Sequence, residues 1–212
     1  MKALILFIII FYSFFCVEIC LQTMKKIVLF ASGNGSNAEK IIQHFLENKL
    51  VKVTNVFTNN AHAKVLDVAQ KYTVDGQIIS KEYLNSDKMV KKMLEINPDL
   101  IVLAGFLLQF PKSIINKFPN KIVNIHPALL PKYGGKGMYG MHVHNAVLSN
   151  KETESGITIH YVNENYDEGE FIVQKSINIE DCTSAEEIAN KVHSLEHQYF
   201  PVTLENLLIK KP

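Results

Sequence analysis

The chain has 212 residues, 47% of them hydrophobic, which is enough for one domain with a sizeable core. Its 22 Lys and Arg against 21 Asp and Glu leave a formal net charge of +1, so no broad field is present to wrap nucleic acid or coat an anionic membrane, and any anionic ligand must be held by local groups. Of the three Cys, Cys16 and Cys20 lie in an apolar leader and Cys182 alone in the body; this excludes a disulfide framework in the body and fits a reducing, cytoplasmic compartment.

Residues 1–23 differ from the rest. Ala3 to Val17 is an apolar and aromatic run relieved only by Ser13 and preceded by a single Lys2. A spanning helix wants about 20 apolar residues, a length reached here only by including Glu18. A secretory signal wants a small-x-small cleavage site, and none precedes Met24. The preferred reading is that translation starts at Met24, because Met24-Lys25-Lys26-Ile27-Val28-Leu29-Phe30 opens a first strand. A membrane anchor in residues 1–23 is the alternative, and secretion the third. A single domain over residues 24–212 that folds and works without the leader is expected.

From Lys26 onward, apolar strand-like runs alternate with helix-period segments, the pattern of a parallel α/β sheet covered on both faces. Residues 26–32 form the first predicted strand, followed by a helix over 38–49 with Ile41, Ile42, Phe45 and Leu46 on one face. A strand over 52–58 precedes a helix over 63–72 with Val65, Leu66 and Ala69 inward. A further helix is predicted over 82–96, with Val90, Met93 and Leu94 inward, stopped by Asn97-Pro98-Asp99. Strands follow over 100–104 and 122–126. Residues 155–161 and 171–177 alternate like a hairpin and should add antiparallel strands. A last helix begins near Thr183-Ser184-Ala185 with a hydroxyl cap and early acids, runs toward Leu208, and should break or kink at Pro201.

The fourth strand ends in Asn124-Ile125-His126-Pro127-Ala128-Leu129-Leu130-Pro131. Side chains two apart in an extended segment face the same way, so Asn124 and His126 should project together while Ile125 points into the fold. An amide donor beside a titratable imidazole suits a developing oxyanion; a capped loop histidine before proline is the plainer reading. The first strand turns at Ser32-Gly33-Asn34-Gly35-Ser36-Asn37 into a helix, an anion-binding geometry in which glycines admit a ligand to the backbone and the helix end favours phosphate. Position 38 is Ala and no P-loop Lys-Ser/Thr follows, so a monophosphate fits better than a dinucleotide or nucleoside triphosphate. The acidic loop Asn163-Glu164-Asn165-Tyr166-Asp167-Glu168-Gly169 can set a carboxylate near His126 if its strand lies beside the one ending there. Asp167 is the preferred member over Glu164 and Glu168, and it should raise the His126 pKa.

With these motifs in order, the chain resembles phosphoribosylglycinamide formyltransferases, the folate-dependent enzymes of purine synthesis, over nearly everything from Met24 to the last helix. The resemblance implies a three-layer, Rossmann-like α/β fold, mostly parallel with antiparallel additions near its C-terminal part. It implies formyl transfer from 10-formyltetrahydrofolate to the amine of glycinamide ribonucleotide, with small-molecule partners only, in a monomer or weak homodimer. Asn124, His126 and Asp167 match the family's catalytic set, and Gly33, Asn34, Gly35, Ser36, Asn37 and Glu196 its ribotide site. Leu103, Phe106, Leu107, Leu108, Gln109 and Phe110, together with Asn124, match the folate pocket, and Ser155 and His160 flank the catalytic set. Many members carry Arg where this chain has Leu107-Leu108-Gln109, so a charged folate contact is absent. The stretch Gly134 to Gly140 is longer and richer in glycine than the usual loop before His142-Val143-His144, and Lys136 within it could meet an anion. A formyltetrahydrofolate deformylase and a non-catalytic folate- or nucleotide-binding protein are the alternatives. No metal set is evident, since His142 and His144 lack acidic or Cys companions. His44, His62 and His193 read as surface residues and Cys182 as a packed thiol.

Overall fold

The computed structural model describes residues 24–209, so the expectations about the leader lie outside the described residues. Among the described residues, seven strands form one sheet: β1 (Lys25–Phe30), β2 (Val51–Thr58), β3 (Asp75–Ile78), β4 (Leu100–Leu103), β5 (Ile122–His126), β6 (Glu154–Tyr161) and β7 (Phe171–Asn178). Their order is β3-β2-β1-β4-β5-β6-β7. Pairings from β3 through β5 are parallel, and β6 and β7 are antiparallel additions. The helices are α1 (Ser36–Phe45), α2 (Val65–Lys71), α3 (Lys81–Leu84), α4 (Asp87–Ile96), α5 (Lys112–Ile115), α6 (Met141–Ser149) and α7 (Ala185–Ile209).

Alternation along β1 builds both halves of the core. Ile27 and Leu29 pack with Ile41 and Phe45 of α1, Val65 of α2, Val143 of α6 and Val192 and Leu204 of α7. Val28 and Phe30 face the opposite way, against Leu84 of α3, Met89 and Met93 of α4 and Ile114 of α5. A sheet buried on both faces needs apolar residues at successive positions, which is why its central strands read as continuous apolar runs. The chain leaves β1 toward β2 on one side and returns as β4 on the other, so a crevice opens at the carboxyl ends of β1 and β4. Open α/β sheets bind ligands at such a switch point.

Several details depart from the sequence reading. The helix expected over 82–96 is two helices, because the Ser86 hydroxyl donates to the Tyr83 carbonyl (2.7 Å) and ends α3 before α4 begins. Leu46 and Leu94, expected inward, are 59% and 51% exposed; α1 stops at Phe45, and in α4 Met89 and Met93 carry the inward face. Pro201 does not break α7, which runs through it for 25 residues. Phe200, Pro201 and Leu204 are buried in that turn, and burial of this size offsets the roughly 3 kcal/mol that an interior proline costs. The edge strand β3 and helices α5 and α6 were not anticipated. Asp75-Gly76-Gln77 is too polar to read as a strand, and α6 follows a glycine-rich segment that reads as loop.

Candidate active site

The loop after β1 forms one wall of the crevice. Gly35 sits at φ +76°, and a Cβ there would lie 2.8 Å from Val65, so this turn into α1 requires glycine. Ser32 joins the wall to its neighbour: its hydroxyl donates to Asn59 Oδ1 (2.5 Å) and accepts the Leu107 N–H (2.9 Å). Asn37, in the first turn of α1, donates from Nδ2 to Glu196 Oε2 (2.9 Å), and the same oxygen meets His193 Nδ1 at 2.7 Å. Glu196 is 4% exposed, so α7 supplies a buried carboxylate directly beside the glycine loop. His193 is outwardly exposed as read, yet it also lines the crevice, and its bond to Glu196 raises its pKa.

A second, apolar wall follows β4. Phe106 and Phe110 pack edge-on against Phe30 at centroid distances of 5.3 and 5.0 Å, while Leu107 remains half exposed at the rim. Lys112 pairs with Glu164, tying this wall to the loop after β6.

The two walls meet at the end of β5. Antiparallel pairing sets Asn124 opposite His160 and His126 opposite Thr158, so β6 does lie beside the strand ending at His126 and its loop delivers Asp167. Asn124 Nδ2 lies 3.2 Å from His160 Nε2, and His160 Nδ1 lies 2.8 Å from the Tyr161 carbonyl. A carbonyl can only accept, so Nδ1 carries the proton and Nε2 is left to accept the Asn124 amide. The same logic applies to His126: Nε2–H donates to the Tyr133 carbonyl (2.7 Å), leaving Nδ1 on the side of Asp167 Oδ2 at 3.5 Å. Asp167 Oδ2 also accepts the Gly135 N–H (2.8 Å), and Oδ1 lies 3.6 Å from His160 Nε2.

The electrostatics correct one expectation. Asp167 does pull the His126 pKa upward, but burial outweighs it and the imidazole ends below its ordinary value; His126 is 3% exposed, and a low-dielectric setting disfavours the charged ring. For Asp167, burial pushes the carboxyl up, while His160, His126 and the Gly135 N–H together bring it below the usual carboxylate range. His144, buried on α6 and facing the same space, is pushed down to about 4, mainly by burial and then by His193.

One cavity of about 760 Å³ lies at this junction, in the size range of pockets for drug-sized ligands. It brings together Gly33, Asn34, Gly35, Ser36, Asn37, Glu196, Leu103, Phe106, Leu107, Leu108, Gln109, Phe110, Asn124, His126, His160 and Asp167, with Lys136 at its glycine-rich margin. Ser155 is the exception. It is buried on β6 away from this cavity, its hydroxyl has no hydrogen-bond partner, and it lines a separate cavity of about 250 Å³. His144 and Tyr133 were not anticipated as parts of the site; the His-x-His segment in the first turn of α6 was the one available signal for His144, and a backbone carbonyl leaves no signal in the side-chain alphabet. Cys182 is a half-buried free thiol whose pKa burial pushes up, consistent with packing. Among the described residues no group of three His, Cys, Asp or Glu is placed to hold a metal ion, and no helix is long and apolar enough to cross a membrane.

Residues 25–204 match the family described as "Formyl transferase". A phosphoribosylglycinamide formyltransferase of Bacillus subtilis is 33% identical over 191 residues, covering 87% of this chain and 95% of the relative. A chloroplastic one of Arabidopsis thaliana is 34% identical over 183 residues, covering 83% of this chain. The chain spans 63% and 61% of the lengths of the Arabidopsis and Vigna unguiculata relatives. Among solved structures, a phosphoribosylglycinamide formyltransferase of Bacillus halodurans superposes with a TM-score of 0.79 at 31% identity, covering 88% of this chain and 96% of that one. One from Coxiella burnetii gives 0.78 at 33% identity, covering 87% of each. With the family matched over almost all of the described residues, the chain belongs to the formyl transferases.

Proposed function

We propose that the chain transfers a formyl group from 10-formyltetrahydrofolate to the primary amine of glycinamide ribonucleotide, a step of purine synthesis, and that Asn124, His126 and Asp167 carry the chemistry in a single domain spanning residues 24–212. The observation that carries this reading is the junction: a polar, glycine-lined arm suited to a phosphate and an apolar arm suited to a flat ring system meet at Asn124, His126 and Asp167. The ribotide phosphate lies against the backbone N–H groups around Gly35 at the start of α1, and Glu196 receives the glycinamide end. The folate lies against Leu103 and the segment from Phe106 to Phe110. The reaction belongs in a reducing, cytoplasmic setting, in keeping with the free Cys182 thiol.

Holding both substrates at one junction converts a bimolecular encounter into an oriented one. The amine nitrogen attacks the formyl carbon, and the carbonyl electron pair moves onto oxygen. That oxyanion accepts hydrogen bonds from the Asn124 amide and from His126 Nδ1–H. His126 is neutral in the empty site; the negative charge that develops beside it restores the preference for imidazolium, the added Nδ1 proton being taken up from solvent and returned there when the oxyanion collapses, and Asp167 reinforces it. The amine loses a proton through water held at Asp167, the folate nitrogen gains one, and collapse of the oxyanion expels tetrahydrofolate. No covalent enzyme intermediate forms.

The test is release of tetrahydrofolate by the purified chain given 10-formyltetrahydrofolate, with and without glycinamide ribonucleotide. Release that requires the ribotide is expected. Release without it would mean hydrolysis of the folate, and none at all would mean a binding protein. A finer expectation concerns the glycine loop: Ser36→Ala or Asn37→Ala should raise the KM for the ribotide about three- to tenfold with kcat within about twofold, because phosphate contacts persist from ground to transition state. Steady-state kinetics separates the two constants, and a pure kcat defect would contradict the assignment.

A further inference from the structure

Tyr133 adopts φ +58°, a left-handed conformation that a non-glycine side chain holds only when its surroundings demand it. Two contacts meet on this residue. Its phenol donates to Glu152 Oε1 (2.8 Å), a carboxylate that also takes the Lys132 ammonium (3.0 Å). Its carbonyl accepts His126 Nε2–H at 2.7 Å. The same turn continues through Gly134, where a Cβ would lie 2.6 Å from Leu130 and 3.3 Å from Asp167, to Gly135, whose N–H donates to Asp167. Neither Tyr133 nor Glu152 lines the substrate cavity; both line the separate cavity of about 250 Å³.

We propose that Tyr133 and Glu152 are positioning residues for formyl transfer: the phenol–carboxylate bond holds the Tyr133 backbone so that its carbonyl fixes the Nε2–H tautomer of His126 and leaves Nδ1 to work beside Asp167. The inference rests on the reading of His126 as a hydrogen-bond donor to the oxyanion. A ring nitrogen that donates to a fixed carbonyl determines which of the two nitrogens is free for chemistry, and an anchored partner also restricts ring rotation, much as outer partners orient metal-bound histidines. With the phenol released, the neighbouring cavity gives the ring room to move. The Tyr133 backbone can then relax from its left-handed conformation, carrying its carbonyl away from His126 and Gly135 away from Asp167.

Tyr133→Phe removes one oxygen and no charge at neutral pH. It should lower kcat about three- to tenfold, the loss expected when one orienting hydrogen bond is weakened, with the ribotide KM within about twofold because the glycine loop and Glu196 are untouched. Glu152→Ala should do the same, Glu152→Gln should recover most of the loss by still accepting from the phenol, and the double variant Tyr133→Phe/Glu152→Ala should be no worse than either single. Because the Tyr133 carbonyl supports the protonated ring, the limb of the kcat–pH profile that reports His126 should move to lower pH in both single variants. The other groups acting on that ring, Asp167, His160, Glu196 and His144, are unchanged in all of them. A structural role alone would lower thermal stability without moving that limb. An unmoved limb, unchanged kcat in the two singles, or additive losses in the double variant would overturn the proposal. His126→Ala, run in the same assay, separates the two readings: turnover retained in that variant would remove His126 from the chemistry, whereas turnover lost there but kept in Tyr133→Phe would refute the positioning role alone.

Discussion

His126→Ala is expected to lower kcat about 10²- to 10³-fold, the effect of removing one donor to a tetrahedral oxyanion, while the KM for glycinamide ribonucleotide stays within about threefold. Asn124→Ala should fall in the same range. The asymmetry between the two constants follows from where each group sits. Asn124 and His126 stand at the junction of the cavity, whereas in the proposed arrangement the ribotide's phosphate and glycinamide ends engage the glycine loop before α1 and Glu196 on α7. A hydrogen bond that strengthens only when charge reaches the formyl oxygen contributes to the barrier and little to binding. The two substitutions should also be less than additive, since a site with one donor missing no longer holds the oxyanion where the other can reach it. Single-turnover measurements with both substrates saturating isolate the chemical step. A His126→Ala enzyme with near-normal single-turnover rate would remove the imidazole from the mechanism, and a proportional rise in ribotide KM would reassign it to substrate binding.

Much of this arrangement is legible in the chain before folding, and the reasons differ from residue to residue. Asn124 and His126 could be paired because strand alternation is local and the proline at 127 marks the strand's end. The glycine loop was legible because Gly33, Gly35 and the helix that follows are contiguous, and their geometry is dictated by neighbours in sequence. Asp167 needed one long-range assumption, that β6 lies beside β5, and the observed register of His126 with Thr158 supplies it. The depression of the His126 pKa was not legible. Asp167 can be named as a partner from a motif, but burial is summed over side chains from distant parts of the chain and it is the larger effect. Tyr133 was invisible for a related reason: its contribution is a backbone carbonyl placed by a side-chain anchor. Leu46 and Leu94 show the limit of periodicity, because Leu46 falls just past the end of α1 and Leu94 lies on a face of α4 that the packing leaves uncovered.

Acid sensitivity should be dominated by a residue that takes no part in the proposed chemistry. His144 is 2% exposed, its Nδ1 lacks a hydrogen-bond partner, and its pKa is pushed down to about 4 against an ordinary value of 6.5, by burial first and by His193 second, with Glu196 opposing. For a base whose folded pKa lies below its unfolded one, both states are neutral above pH 6.5 and stability is at its full value. As the pH falls from there, the unfolded chain takes up the proton first and stability declines, levelling off only once the folded state also binds it, near pH 4. A displacement of this size corresponds to about 3 kcal/mol in all, of which about 2 kcal/mol should be lost by about pH 5. The depressed His126 acts in the same direction, so the wild-type slope is a sum and the His144 share must be isolated by substitution. His144→Leu removes the titration and the unpartnered nitrogen together at similar volume. Urea unfolding at about pH 7.5 and about pH 5 should therefore show a smaller drop in midpoint for His144→Leu than for the wild type, with unchanged m-values. Equal drops in the two proteins would mean that His144 accepts its proton in the folded state without penalty, and that water or the Glu196 carboxylate reaches the ring despite its burial.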